Sequence, residues 1–343
     1  MKAAWISLLT LPFLLLGCSS PAPTVTSDPI KPEPTEVKST LKPITGEFKV
    51  ALVTPGPVSD AGWCAIAWDG LKGIGAETGA KTSNEVAAGA KIKDAMRSFA
   101  QDGYQLIIGH GYEYNEPGSE LAKDFPNTVF VSSSGGKFAS NAGAFRFYLE
   151  QGFYLAGILA ADISKTGKIA TVGIDGIPSI ASTFKAFEAG AKSVKPDIQV
   201  IKMSLAMNTD IQAAKQAALS AIDQGADVLI HQANASAQGV FDAAKEKSVY
   251  ALGANSDQND NPSGAVLASA TIVARPAFID LAKQVQSGKY IGGVQLFGMD
   301  KGAIDFVMNP ALAGRVPAAT MQKIEEARKL MQSGKLAVPK DEF

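Results

Sequence analysis

The feature that most constrains the fold of this chain is an alternation of short apolar or β-branched runs with longer segments of helical periodicity. The short runs predict strands and the longer segments predict helices. Strands that alternate with helices imply parallel sheets covered on both faces, so the sequence predicts an α/β protein with two doubly wound lobes joined by a hinge. In the first half of the body, strands are predicted at 48–53, 106–108 and 128–131 and helices at 62–78, 91–101 and around 120–123. In the second half, strands are predicted at 169–173, 198–203, 227–230 and 249–253 and helices at 181–194, 211–224 and 238–246.

Each predicted lobe is built from two separate stretches of the chain. The N-terminal lobe is assigned to residues 46–147 plus about 256–308. The C-terminal lobe is assigned to residues 148–255 plus about 309–343. A body of about 300 residues is long enough to form two such globular units.

Three hinge connections are expected where the chain passes between these lobes. They are placed near 145–148, near 254–257 and after Met308. The segment 318–333 has helical periodicity and predicts a terminal amphipathic helix that packs on one lobe.

The first eighteen residues have the pattern of a lipoprotein signal. Lys2 is followed by an apolar run that ends at Leu16, and small Gly17 stands just before Cys18. The run is about 14 residues long and is too short to cross a bilayer, which requires roughly 20. We therefore predict lipid attachment at Cys18, the alternative being an ordinary signal peptide with a chance cysteine.

Residues 19–45 are rich in Pro, Ser, Thr and charge and have no apolar periodicity that predicts a core. We interpret this segment as a tether that can hold the body up to roughly 80 Å from a membrane. The body is therefore expected outside the cytoplasm, anchored to the cell membrane or the outer membrane.

Composition argues against several functional classes. The formal net charge is −1, whereas nucleic-acid binding relies on clustered Lys and Arg. Cys64 is the only cysteine besides Cys18, and His110 and His231 are far apart without ligand spacing. We predict no metal site and no cofactor.

The loops that follow the predicted strands carry the candidate site. In open parallel sheets the ligand lies beyond the carboxyl ends of the strands. The loops at 54–63, 109–117, 231–234 and 254–258 collect aromatic, amide and carboxylate side chains. These groups suit a site that stacks a planar ligand and hydrogen-bonds its edge.

Several short motifs follow one another between Phe48 and Asn309. They are SDAGW at 59–63, QGFYLAG at 151–157, FEAGA at 187–191, KPD at 195–197, DQGADV at 223–228, and YALG at 250–253 leading to SDQ at 256–258. In order and spacing these motifs resemble those of the basic membrane lipoprotein family. The family is similar to the substrate-binding lipoproteins of ABC importers for purine nucleosides and nucleobases, and the resemblance implies a type I periplasmic binding protein fold.

The resemblance implies a set of ligand-binding residues. Asp60 and Trp63 would meet the base, with Trp63 stacking on its ring, although Trp63 could instead pack in the core at a helix start. Tyr114 could likewise only cover the end of a sheet. The remaining positions that the resemblance places in the site are Tyr112, Asn115, Asn208, Asn234, Asn255 and Asp257.

Two departures from the family pattern bear on the ligand. Ile272 stands where nucleoside-binding relatives carry a Lys that reaches the ribose, and Asn208 or Thr209 stands where they carry a second stacking aromatic. The ribose clamp is therefore expected to be incomplete, which favours a nucleobase over a nucleoside. Relatives with Gly-Trp in the first loop also resemble nucleobase binders. Amino acids, sugars and modified bases remain alternatives.

The predicted function is that of a monomeric extracytoplasmic receptor which closes its lobes over a ligand and docks on an ABC permease with its ATPase. A lipid-anchored sensor or surface adhesin with the same cleft is the first alternative. An α/β enzyme is the second, but GxxxxGK[ST] and GxSxG motifs are missing, and the serines at 132–134 are interpreted as a strand end that turns into a glycine loop.

Overall fold

The computed structural model describes residues 1, 36–38, 41–59, 62–207 and 209–342. The predicted signal with Cys18, most of the predicted tether, and the site positions Asp60 and Asn208 lie outside the described residues. The chain divides into two units, residues 1–34 and 35–343, and every element below belongs to the second.

The strands of the described residues form two sheets. They are β1 (Glu36–Lys38), β2 (Lys49–Thr54), β3 (Lys81–Val86), β4 (Leu106–Gly109), β5 (Val129–Ser132), β6 (Ala142–Phe147), β7 (Lys168–Ile174), β8 (Gln199–Leu205), β9 (Val228–Gln232), β10 (Tyr250–Asn255), β11 (Val266–Ile272), β12 (Ile291–Phe297) and β13 (Ile304–Met308).

The first sheet has the order β1-β12-β6-β5-β4-β2-β3, and the second has the order β13-β11-β10-β9-β7-β8. Neighbouring strands pair in parallel, except that β1 and β13 pair antiparallel at the outer edges. Inner strands such as β4 are buried along their whole length, as expected for parallel sheets with helices on both faces. The predicted fold class is confirmed.

Helices cover the faces of both sheets. They are α1 (Trp63–Thr78), α2 (Ile92–Gln101), α3 (Asn115–Leu121), α4 (Glu150–Ile163), α5 (Pro178–Val194), α6 (Ile211–Asp223), α7 (Ala237–Glu246), α8 (Arg275–Gln286) and α9 (Ala318–Gln332). Helix α9 confirms the predicted terminal helix, and it packs on α4. Residues 120–123 were predicted as the centre of a helix, but α3 ends at Leu121, because it begins at Asn115 right after a short 3₁₀ turn at Tyr112–Tyr114.

The chain crosses between the two sheets at three places. The crossings lie between β6 and α4, between β11 and α8, and between β12 and β13. Among the described residues, the first lobe therefore comprises those within 36–147 and 273–298, and the second lobe comprises those within 149–272 and 299–342, with Tyr148 at the first crossing.

The first crossing lies where a hinge was predicted, but the other two do not. Residues 254–257 end β10 and stay in the second lobe, because β11 pairs in parallel beside β10 in the same sheet. Likewise β13 pairs with β11, so the return to the second lobe precedes residue 304 rather than following Met308. The lobe boundaries differ from the predicted 256 and 309 for this reason.

The last part of the predicted tether is ordered against the first lobe. Residues 36–38 pair with residues 291–293 of β12, and the Ile44 N–H donates to the Gln286 carbonyl at 2.9 Å. Leu41 and Ile44 also pack against the core. The prediction that the tether runs to residue 45 is wrong at this end, because edge pairing uses backbone groups and needs no apolar periodicity.

A large apolar cluster includes residues of both lobes, among them Leu71, Phe145 and Phe278 of the first and Phe153 and Phe306 of the second. The carboxyl ends of the inner strands of both sheets contribute to one cavity beside this core. Among the described helices, none has both the length and the apolar character that crossing a bilayer requires.

A candidate ligand-binding cavity between the lobes

A cavity of about 140 Å³ lies between the two lobes. Its walls come from the loops after β2, β4, β5 and β6 in the first lobe and after β7, β9, β10 and β11 in the second. This is the position that parallel-sheet topology predicts for a ligand site.

Trp63 forms a rigid aromatic wall of the cavity. It is the first residue of α1, is partly exposed, and its ring stacks on the ring of His110 at 3.9 Å with an interplanar angle of 20°. The Trp63 Nε1–H donates to the His110 carbonyl at 3.1 Å, and His110 Nε2 lies 2.8 Å from the Trp63 carbonyl. Since a carbonyl only accepts, His110 Nε2 carries a hydrogen. These contacts hold one face of the indole against His110.

Two buried hydroxyl groups of the first lobe indicate that the cavity is suited to a polar ligand. Ser133 and Ser134 follow β5, line the cavity and are almost fully buried. Their Oγ atoms have no hydrogen-bond partner among the described residues. Buried hydroxyls usually have a partner, so this pair is suited to hydrogen-bond a ligand. From the sequence, this segment was interpreted only as a strand end that turns into a glycine loop, and neither serine was predicted in the site.

An amide cluster of the second lobe faces the same cavity. The Asn255 side-chain amide donates to Gln232 Oε1 and to Asn234 Oδ1, at 3.4 Å in each case. Asn234 and Asn255 have φ values of 44° and 70°, a left-handed backbone that Asn tolerates better than most residues. Both were predicted from their positions after strands, whereas Gln232 was not singled out.

An aliphatic surface completes the second-lobe wall. Ile174, Ile177, Ile180 and Ile272 line the cavity, and Ile272 at the end of β11 is only 7% exposed. The position at which the resemblance implies a Lys in nucleoside-binding relatives is therefore on the cavity, and in this chain it presents an apolar side chain.

A buried ion pair forms the end of the cavity next to the first crossing. Arg146 of β6 is paired with Glu150 of α4, and their side chains are 6% and 2% exposed. The Ser182 hydroxyl donates to Glu150 Oε1 at 2.5 Å. This pair was not predicted, because Arg146 lies near the end of a strand and Glu150 begins the next helix, so no helical i,i+4 pattern marks the two residues.

The loop after β4 contributes Tyr112 and the carboxyl group of Glu113 to the cavity. Tyr112 is 42% exposed and lines the cavity beside Glu113. Loss of hydration raises the pKa of the Glu113 carboxyl, and a backbone hydrogen bond opposes that shift. Within the described residues, no cluster of three or more His, Cys, Asp or Glu side chains is arranged to hold a metal ion.

Three of the predicted site residues lie elsewhere. Tyr114 is fully buried and donates to the Ala87 carbonyl at 2.6 Å, so the alternative that it covers the sheet end is correct. Asn115 is buried and donates to Ser132 Oγ at 2.9 Å, which ties the start of α3 to the end of β5. Asp257 is exposed and accepts from the Asn259 N–H at 3.0 Å in a local turn. The structure thus brings together Trp63, Tyr112, Asn234 and Asn255 on the cavity.

Two α/β lobes that are connected three times and enclose a cavity at their strand ends define a type I periplasmic binding protein. The fold is shared with a solute-binding protein of an ABC transporter system from Aeropyrum pernix, at a TM-score of 0.73 and 20% identity over 86% of this chain and 94% of that one. The family model described as ABC transporter substrate-binding protein, PnrA-like, matches residues 48–342, and the chain belongs to this Bmp family.

Relatives in the family are similar along most of their length. A purine-binding protein of Brucella abortus is 27% identical over 294 residues, which cover 84% of this chain and 82% of the relative. The ABC transporter nucleoside-binding protein BmpA of Lactococcus lactis is 27% identical over 329 residues, which cover 89% and 92%. The protein is thus a substrate-binding protein of the ABC transporter class.

Proposed function

We propose that the protein is a lipid-anchored extracytoplasmic receptor that binds a free purine base in the interlobe cavity and delivers it to an ABC permease. The observation that carries this proposal is the indole of Trp63, held by His110 with its ring on the cavity. Relatives named as a purine-binding protein and a nucleoside-binding protein support the ligand class.

The walls of the cavity supply the groups that a purine requires. The indole of Trp63 offers a stacking surface, which is worth about 1–3 kcal/mol per base where such stacking has been removed. The amide cluster of Gln232, Asn234 and Asn255 can both donate to and accept from the polar edge of the base. A base held in this way contacts both lobes, and contact with both lobes favours their closure.

The preference for a base over a nucleoside rests on Ile272 and its neighbours. A ribose placed against Ile272, Ile174 and Ile177 would lose hydration at its hydroxyl groups and gain no partner from those side chains. A free base carries no such hydroxyl groups. The same wall therefore discriminates between the two ligand types.

Membrane attachment is proposed through acylation of Cys18, with the chain acting as a monomer that meets its permease and ATPase at the membrane. Stable anchoring requires more than one acyl chain. Metabolic labelling with a radioactive fatty acid should mark the native protein. The label should be absent from a Cys18→Ser variant, and labelling of that variant would contradict the anchor.

The ligand is tested by thermal unfolding of the chain with Cys18 replaced, after unfolding and refolding to remove any bound molecule. Adenine, guanine, hypoxanthine, uracil and their nucleosides are added separately. A ligand present at a hundredfold excess over its dissociation constant stabilises the native state by about 2.7 kcal/mol.

Stabilisation by a purine base, and not by its nucleoside, is the expected result. A larger shift with the nucleoside would contradict the proposed preference. The absence of a shift with every compound would contradict the purine ligand itself.

A further inference from the structure

The chain after α9 runs back to the first crossing between the lobes. The N–H groups of Lys335 and Leu336 donate to the Leu330 carbonyl, which ends the helix, and Val338 is buried in the main apolar cluster. Residues 338–342, called the C-terminal strap below, then lie along the crossing between β6 and α4.

The strap makes polar contacts with both lobes. Arg146 of the first lobe donates from Nη1 to the Asp341 carbonyl. Tyr148 lies at the crossing, where its N–H donates to the Phe297 carbonyl of the first lobe at 2.8 Å and its hydroxyl donates to the Val338 carbonyl of the strap. On the second lobe, the Asp341 N–H donates to Ser182 Oγ at 2.9 Å, and its carboxylate lies 2.6 Å from Lys185 Nζ. A single short segment therefore joins the end of β6 to helix α5.

The strap also completes the polar cluster that ends the ligand cavity. Arg146 and Glu150 line the cavity, while Ser182 bonds both Glu150 and the strap. Buried charges are strongly stabilised by such partners and are costly when a partner is removed. Arg146 lies just before the crossing and Glu150 just after it, so rotation of the lobes about residues 148–149 changes the geometry of the cluster.

We infer that the C-terminal strap favours the arrangement seen here, in which both lobes line one cavity and which we call closed, before any ligand binds. The inference rests on the proposed function only in assuming that ligand capture requires closed lobes. Apparent affinity scales with the fraction of molecules that is already competent to bind. Release of the strap should therefore weaken ligand binding even though no residue that lines the cavity is substituted.

The test measures the distance between the lobes in the protein without ligand. Spin labels are attached at Lys123→Cys in the first lobe and Gln216→Cys in the second, both exposed, in the full chain with Cys18 and Cys64 replaced. Double electron–electron resonance then compares three forms: the chain ending at residue 337, Tyr148→Phe, and the control Glu342→Gln. The Glu342 side chain is 83% exposed and pairs only with Lys340 of the strap among the ion pairs of the described residues.

Truncation and Tyr148→Phe are expected to move the distribution toward longer distances, with the open-to-closed ratio rising about tenfold on truncation. The control should match the parent. Unchanged distances between the spin labels in Tyr148→Phe and in the folded truncated chain would contradict the role proposed for the strap. If the truncated chain does not fold, the distances in Tyr148→Phe alone decide the question.

Hypoxanthine binding provides a second, separate readout. The dissociation constant should rise about tenfold in the truncated chain, in line with the smaller closed fraction. If the parent does not bind hypoxanthine, the proposed ligand is in doubt while the distance measurement still decides on the strap. If hypoxanthine binds equally to parent and truncated chain, the strap does not control affinity.

Discussion

At the residue scale, the indole of Trp63 is distinguished by being fixed before a ligand arrives. One face is stacked on His110 and the ring nitrogen is bonded to the His110 carbonyl. A stacking partner that is already ordered loses little conformational entropy on binding, which is the usual advantage of preorganisation.

Trp63→Ala should therefore weaken purine binding by about tenfold to a hundredfold or more, since it removes a stacking surface. Trp63→Phe should retain part of the affinity. Isothermal titration calorimetry measures both, with thermal unfolding as the check that each variant is folded. Full affinity in a folded Trp63→Ala protein would remove the stacking hypothesis.

Ile272 is the residue that we connect with rejection of a sugar. Ile272→Lys should raise nucleoside affinity relative to base affinity, because the ammonium can reach ribose hydroxyls from the end of β11. Ile272→Met is the matched control, since it changes shape without adding charge. Competition of base against nucleoside measures the ratio, and an equal ratio in both variants would argue against our explanation.

At the element scale, helices α4 and α5 pack in close contact through glycine. A Cβ built on Gly157 would lie 2.1 Å from the Phe187 carbonyl oxygen, and one on Gly190 would lie 2.0 Å from the Tyr154 carbonyl oxygen. These glycines belong to the QGFYLAG and FEAGA motifs on which the family resemblance was based. The motifs therefore reflect helix packing at the start of the second lobe rather than contact with a ligand.

Gly190→Ala should lower the free energy of unfolding by about 1–3 kcal/mol, because the methyl group forces two backbones apart. Ser193→Ala, an exposed position on the same helix, is the control and should change stability little. Urea unfolding followed by circular dichroism measures both. Equal stability of the two variants would show that the helices can separate at no cost.

The elements that could be predicted from the sequence are those with a clear apolar pattern. Inner strands such as β4 and β9 and long helices such as α1 and α6 were predicted to within a few residues. Strand β3 was missed because its sequence, KTSNEV, is polar at a sheet edge. Strand β11 was missed because its centre, Ala-Ser-Ala, has little β-propensity. Missing β11 also displaced the predicted second crossing.

The candidate site was predictable in part for a similar reason. Tyr112 and Asn234 come within three residues of a strand end and Asn255 ends β10, so strand-end topology and the family resemblance agree in placing them near the ligand. Trp63 begins α1 nine residues after β2, and its place in the site was implied by the resemblance. Ser133, Ser134 and the Arg146–Glu150 pair depend on which groups become buried together, and the sequence carries little information on burial of that kind.

At the scale of the whole molecule, stability should depend on pH through His231. This side chain is buried, its Nδ1 accepts from the Ala233 N–H at 3.3 Å, and its Nε2 lies 2.9 Å from Gln258 Oε1. Burial lowers the pKa of His231 from 6.5 to about 4, and the bond to Gln258 opposes that shift only in part.

Because the folded pKa is lowered, the contribution of His231 to stability is complete above pH 6.5 and is lost as pH falls toward 4. Between pH 7.5 and pH 5 the free energy of unfolding should fall by about 2 kcal/mol. His231→Gln should remove this slope, as urea titrations at the two pH values can show. Carboxyl groups with lowered pKa values act mainly at lower pH, so an unchanged slope in the variant would contradict the assignment.

The pairing of β1 with β12 has a mechanical consequence. The polypeptide that precedes β1 is joined covalently to an edge strand of the first lobe, so any pull along it is borne by the ladder between residues 36–38 and 291–293. The load falls on the first lobe, away from the cavity. If the protein is tethered as proposed, the second lobe is the part that swings when a ligand is captured, and its motion is not opposed by the tether.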